Sequence, residues 1–254
     1  MTADLYAASV QALSWDETIS MAIAEGIEPT TTGGFYQVLK PRCAFLLEHR
    51  GSDLSTDLAA LPTSVSITTS FAHGAPAAIM EKLGFTFAPG QTIRCMAMPP
   101  AATPPACPEG VSVRRLGSLD DSIGWDQRIQ VESDLFGYPA TGYVDRLRIA
   151  LAHMLPQDAH WLALDATGKA IGYMTMRYTR GVAYLQGAGV LAAFRRRGIT
   201  RHLLSLAIDD ARAKGFDALV TTGWDDAADT TWHNLGFTKI LGTLETWERP
   251  LVQG

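Results

Sequence analysis

The chain of 254 residues is 47% hydrophobic and 19% charged, with 23 Gly and 13 Pro in no repeating order and a formal net charge of −5. Such a composition supplies a core, excludes intrinsic disorder and a collagen-like rod, and contains no apolar run near the roughly 20 residues of a membrane helix. Mild acidity argues against nucleic acid or an anionic membrane as partner, and Met1 to Tyr6 has neither the basic nor the apolar region of a secretory signal, so a cytoplasmic protein is expected.

The length suits one large or two modest domains. In chain order, the first half yields a strand at 64–69 and a short helix running into Leu83-Gly84-Phe85-Thr86. Pro99 to Gly110 follows, with five of the 13 prolines, and can form neither helix nor ladder. It divides the chain into 1–98, a linker at 99–110, and 111–254.

Beyond the linker the hydrophobic periods alternate. Val111 to Leu116 reads as a strand, and helices are expected over 118–135 and 141–154, the latter with Val144, Leu147, Leu151 and Met154 on one face. Strands at 161–164 and 171–176 flank Asp165 to Lys169, whose Gly168 suits a hairpin turn. A strand over 182–191 enters a run of arginines, and Leu203, Leu204, Ala207 and Ala211 mark a helix that stops near Gly215. A strand at 217–222, a helix at 226–235 and a final strand or hairpin at 239–248 complete a mixed α/β domain.

The two halves echo each other. Leu83-Gly84-Phe85-Thr86 recurs as Leu235-Gly236-Phe237-Thr238, an offset of 152, and the same offset pairs Thr69 with Thr221 and Gly90 with Gly242. Each copy follows a strand and a short helix, which reads as a tandem duplication. Their charges differ, since only five of the 21 Lys and Arg lie before residue 109. Cys43, Cys95 and Cys107 are too dispersed for a disulfide framework or a C-x-x-C metal knuckle, and no metal is expected.

Gln186 to Leu204 combines a strand, a short basic turn containing Gly198 and an amphipathic helix. Unpaired N–H groups at a helix N-terminus cradle an anion without any particular side chain, and the neighbouring Arg195, Arg196 and Arg197 suit a diphosphate better than a carboxylate. The same residues also fit a solvated basic turn that merely starts a helix.

Here the chain resembles the GCN5-related N-acetyltransferase (GNAT) superfamily. Its signature, Arg or Gln, two residues, Gly, one residue, then Gly or Ala, matches Arg195 to Ile199, with Thr200 departing at the last place. A later family element, Leu-Gly-Phe before a closing strand, matches Leu235-Gly236-Phe237. The resemblance covers 111–250 and implies a central mixed sheet flanked by helices. The first half matches only around Leu83-Gly84-Phe85, as a degenerate copy in a tandem protein.

Carried over by position, the resemblance implies acetyl-CoA or another acyl-CoA as co-substrate. The main chain of Arg195, Arg196, Arg197, Gly198, Ile199 and Thr200 would hold its pyrophosphate. Ala188, Gly189 and Val190 would pair with the pantetheine arm, and the Val190 N–H would polarise the thioester carbonyl. The β-branched Thr200 leaves open a donor presented by an acyl carrier protein. Where many relatives place a Tyr that protonates the departing thiolate, this chain has Trp232, and Asp225 replaces a common asparagine. Candidate bases are Glu132 and Tyr184, with Asp134 and Gln186 as alternatives. Tyr138, Tyr143 and Trp161 line an acceptor pocket or belong to the core. The expected function is transfer of an acyl group to a small-molecule amine by a monomer or homodimer. Trp232 and the degenerate half keep a non-catalytic acyl-CoA sensor or interaction module as the alternative.

Overall fold

The computed structural model describes residues 2–71, 77–88, 91–101, 103–137, 143–223 and 225–250. It opens with a 23-residue helix, α1 (Thr2–Ala24). Then come β1 (Thr30–Thr32), β2 (Phe35–Lys40), β3 (Cys43–His49), α2 (Leu54–Ala59), β4 (Ser66–Phe71), α3 (Ala77–Lys82), β5 (Thr86–Ala88) and β6 (Thr92–Ala97). After the proline-rich segment follow β7 (Ser112–Leu116), α4 (Ser122–Phe136), α5 (Tyr143–Met154), β8 (Asp158–Leu164), β9 (Ala170–Thr179) and β10 (Val182–Val190). The remainder is α6 (Ile199–Ala213), β11 (Ala218–Gly223), α7 (Asp226–Asn234), β12 (Lys239–Thr243) and β13 (Glu245–Arg249).

Local chemistry sets the turns. Gly168, at φ +83°, closes the β8–β9 hairpin, where the Asp165 carboxylate accepts from the Thr167 and Lys169 main chain. Arg180 and Gly181, at φ +51° and +75°, form the paired left-handed turn that joins β9 to β10 with matching twist. Gly215, at φ +82°, stands just beyond α6 as its sequence position implies.

The strands form two sheets, one ordered β1-β2-β3-β4-β13-β5 and the other β12-β6-β11-β10-β9-β8-β7. Each sheet takes one strand from the opposite half. β6 inserts between β11 and β12, with Cys95 opposite both Val220 and Lys239. β13 inserts between β4 and β5, with Thr246 opposite Ser70 and Ala88. Residues 239–248 are therefore no hairpin, because β12 and β13 diverge into different sheets. The arrangement obeys the repeat, since β4 shifted by 152 residues coincides with β11.

An arginine fastens each exchanged strand. Arg94 of β6 pairs through two nitrogens with both Asp229 oxygens and donates to the Phe237 carbonyl. Arg249 of β13 donates to the Leu61 and Pro62 carbonyls and stacks 5.1 Å from the Phe85 ring. Phe85 and Phe237 are equivalent positions of the repeat.

The second sheet is covered on both faces. Leu203, Ala207 and Ala211 of α6 pack on Met174, Met176 and Leu219, while Trp125, Ile129 and Leu151 of α4 and α5 pack on Leu162 and Tyr173. Helix α1 spans the two halves, with Val10 and Leu13 against Val182 and Val220, and Ala22 against Val38 and Leu47. The proline-rich segment lies along α6, where the Pro99, Pro105 and Glu109 carbonyls bond to Arg212, His202 and Arg197.

Candidate active site

The site is built around β10. Among the described residues its parallel ladder to β11 covers only Ala183–Leu219 and Tyr184–Val220, and its register shifts at Gln186. The two strands then separate, with Thr221 Oγ1 donating to the Leu185 carbonyl at 3.3 Å. From Gly187 to Val190 the strand stays paired to β9 on its other side. The Leu191 N–H bonds the Ile171 carbonyl of β9, so by strand alternation the Val190 N–H faces the gap.

Glycine makes this stretch possible. The Leu135 side chain of α4 lies directly over Gly189, and the Tyr173 hydroxyl would sit 3.1 Å from a Cβ at Gly187. After β10, Arg195 is extended and its Nε returns to the Val190 carbonyl at 3.0 Å. Arg196 adopts a left-handed φ of +61°, a costly state for a residue with a Cβ and one that clusters at ligand clamps. Gly198, at φ +85°, is the N-cap of α6 and no side chain caps the helix. Its first N–H groups are thus left for a ligand.

Two cavities flank β10. One of about 320 Å³ is bounded by Val190, Arg195, Arg196, Gly198, Ile199 and Thr200. The other, about 460 Å³, is bounded among others by Glu132, Tyr184, Gln186, Ala188 and Trp232. Arg197 does not bound the first cavity; its guanidinium donates to the Glu109 carbonyl at 3.0 Å. Thr200 stands at the wall, as does Ile199, which also joins the core under the sheet.

Glu132 and Tyr184 thus border the same cavity. Asp134 does not; it is exposed and accepts from Gln130 at 2.7 Å. Trp161 is core, packed under α6. Tyr138 lies outside the described residues, as does the Tyr143 side chain. Trp232 meets Phe237 edge-on at 5.8 Å, His233 is exposed, and Asp225 caps α7 by accepting from the Ala228 N–H.

Behind Glu132 lies a buried polar chain that the motifs do not announce. Arg128, 1% exposed, pairs with Glu132, donates to Thr175 Oγ1 at 3.3 Å and stacks 3.6 Å from the Tyr173 ring. Thr175 meets His160 Nδ1 at 2.9 Å, and Arg177 grips both Asp158 oxygens at 2.9 and 3.1 Å. Burial holds the His160 imidazole well below its usual range, seconded by the Arg128 and Arg177 charges, and burial raises the Asp158 carboxyl despite Arg177. Two signals were available: the i,i+4 spacing of Arg128 and Glu132, and polar residues at period two within apolar strands. Asp158 and His160 stand opposite Arg177 and Thr175 in the ladder.

Residues 125–237 match the acetyltransferase (GNAT) family. A GCN5-related N-acetyltransferase from Sphaerobacter thermophilus superposes with a TM-score of 0.59 at 18% identity, covering 87% of this chain and 78% of that one. One from Kribbella flavida gives 0.58 at 16%, covering 94% and 96%. A tandem GNAT protein from the clavulanic acid biosynthesis pathway gives 0.67 at 13%, covering 98% and 96%. The match to the acetyltransferase (GNAT) family thus lies within the second half, and the chain as a whole has the fold of a tandem GNAT protein. Among the described residues no helix is long and apolar enough to cross a membrane.

Proposed function

We propose that the protein is an N-acyltransferase, in the simplest case an N-acetyltransferase, that moves an acyl group from an acyl-CoA to the amine of a small molecule by direct attack. One observation carries the reading: a strand edge left open beside β11 leads through a strained Arg196 into an uncapped helix N-terminus. The donor fits these residues, since orphan N–H groups, Arg195 and Arg196 meet a diphosphate, and the open edge from Ala188 to Val190 meets an amide-bearing arm. Acetyl-CoA would supply a thioester whose thiol, of pKa about 8.5, leaves tolerably near neutral pH. The Val190 N–H stabilises the oxyanion, a contribution of about 3–4 kcal/mol.

An amine of pKa about 10.4 gives up its proton at a cost of about 4.6 kcal/mol at pH 7. Glu132 or Tyr184, directly or through water, takes it from the cavity side. Trp232 supplies no acid, so the thiolate leaves unprotonated. We read residues 1–98 as the degenerate copy, 99–110 as its linker and 111–254 as the acyl-CoA domain of a cytoplasmic monomer or homodimer.

Titration with acetyl-CoA, followed by free-thiol release with an amine panel, tests the proposal. Saturable binding and amine-dependent thiol release are expected, with at least tenfold slower release in Glu132→Gln. Absence of acetyl-CoA binding overturns it. Trp232 motivates a second reading, an acyl-CoA sensor, for which binding without release is the mark. Thr200 motivates a carrier-protein donor, rejected if free acyl-CoA serves equally well.

A further inference from the structure

The larger cavity is bounded by hydrogen-bonding side chains from both halves of the chain. Ser20 comes from α1, Gln91 from the residue before β6, Tyr184 and Gln186 from β10, and Thr221 and Thr222 from β11. Four of these are bonded within the protein. Ser20 donates to the Asp16 carbonyl, Thr221 donates to the Leu185 carbonyl, and Thr222 meets the Tyr184 hydroxyl at 3.4 Å. The charged groups of the wall are matched too, Glu132 with Arg128 and Arg177 with Asp158. Gln91 and Gln186 differ. Both are half-buried at the cavity, and among the described residues neither side-chain amide meets a hydrogen-bond partner.

Local structure explains how the two amides come to the same cavity. Gln186 is the extra residue of the β10 register shift, since Leu185 lies opposite Met176 and Gly187 opposite Thr175. A bulge of this kind takes one side chain out of the strand's alternation and re-aims it. Gln91 is fixed through its own carbonyl, which accepts the Leu244 N–H at 2.8 Å. It stands directly before the strand that the first half inserts into the second sheet.

An uncommitted carboxamide presents a donor and an acceptor together. An alkyl body laid against it removes its water and replaces neither bond. A carboxylate answers only its N–H groups, and an ammonium only its carbonyl. A hydroxyl, itself donor and acceptor, answers either. We propose that the acceptor is a hydroxylated amine, an amino alcohol or amino sugar, whose amine lies at Glu132 and whose hydroxyls bond to Gln91 and Gln186. The cavity, about 460 Å³, is of the size that takes a small molecule. The inference rests on the acyltransferase reading and narrows its substrate class. Through Gln91 it also gives the first half of the chain a direct part in recognition.

The test uses the full chain with acetyl-CoA and compares 1-amino-1-deoxyglucitol with hexylamine, the same six-carbon primary amine with and without hydroxyls. The aminoglucitol is expected to exceed hexylamine in kcat/KM by more than about tenfold, because a site built to bond a hydroxyl rejects the analogue that lacks it. Gln91→Leu and Gln186→Leu are each expected to lower that ratio at least about tenfold, with acetyl-CoA affinity and melting temperature unchanged. Comparing one ratio between proteins cancels the different basicities of the two amines. Failure of the wild-type preference, or an unchanged ratio in either folded variant, overturns the inference. Saturation-transfer NMR with the two amines needs no turnover and separates it from the broader proposal. Aminoglucitol binding that Gln91→Leu weakens, without thiol release, supports the cavity assignment and sinks only the enzyme reading. Thiol release as efficient with hexylamine as with the aminoglucitol sinks the inference and leaves the acyltransferase standing.

Discussion

His160 shows how burial fixes the chemistry of a single side chain. It is fully buried, edge-on to Trp125 at 4.9 Å and bonded to Thr175, with the Arg128 and Arg177 charges and the Asp158 carboxyl nearby. The folded protein therefore keeps it neutral. In the unfolded chain it takes up a proton below about pH 6.5. Its depressed folded pKa means that stability is fully present above that value and is lost as pH falls, by about 1 kcal/mol or more per pH unit while only the unfolded state binds the proton. Urea denaturation at pH 7.5 and 5.5 is expected to show this loss in the wild type and a clearly smaller one in His160→Gln. Equal losses would place the acid sensitivity elsewhere. The same neutrality keeps a third positive charge away from Arg128 and Arg177, so that Glu132 answers chiefly to Arg128.

Among the elements, β9 and β10 meet in a tightly constrained contact. A Cβ on Gly172 would lie 2.9 Å from the Gly189 carbonyl oxygen and 3.1 Å from a Val190 methyl. The carbonyl is backbone and cannot step aside, so Gly172→Ala must part the strands where the donor is proposed to lie. A loss of about 1–3 kcal/mol of stability is expected from such overpacking, with weaker acetyl-CoA binding, measured by thermal melting and titration. Elements with one partner were legible in the sequence: α6 buries a single stripe, and the turns at Gly168 and Gly215 carry their own chemistry. Helix α1 was not legible. It packs on β10 and β11 at one end and on β2 and β3 at the other, and its buried face, Ser9, Ala12, Leu13, Asp16 and Ser20, is polar at three of those five positions, so it carries no apolar stripe. The site divides in the same way. Arg195 to Thr200 stand in one local segment and could be read, whereas the cavity joins Leu13 to Glu132 and Trp232 across most of the chain and could not.

At the scale of the molecule, the exchange of β6 and β13 means that neither half holds a complete sheet. Residues 111–254 without β6 leave a gap between β11 and β12, and residues 1–98 without β13 leave one between β4 and β5. Each gap exposes unpaired strand edges, which invite aggregation. The two fragments expressed separately are expected to be insoluble or to melt without a cooperative transition. Mixing or coexpressing them is expected to restore one species with a single transition, as judged by size-exclusion chromatography and calorimetry. A fragment 111–254 that melts cooperatively alone would refute this.

The same exchange imposes an order on synthesis. β4 leaves the ribosome with Phe71, but its neighbour β13 is not complete until Arg249, 178 residues later. At about 5–20 residues per second that is a wait on the order of ten to thirty-five seconds, during which one edge of the first sheet has no native partner. The nascent first half must therefore survive unfinished, and whatever shields β4 during that interval decides the yield of folded protein.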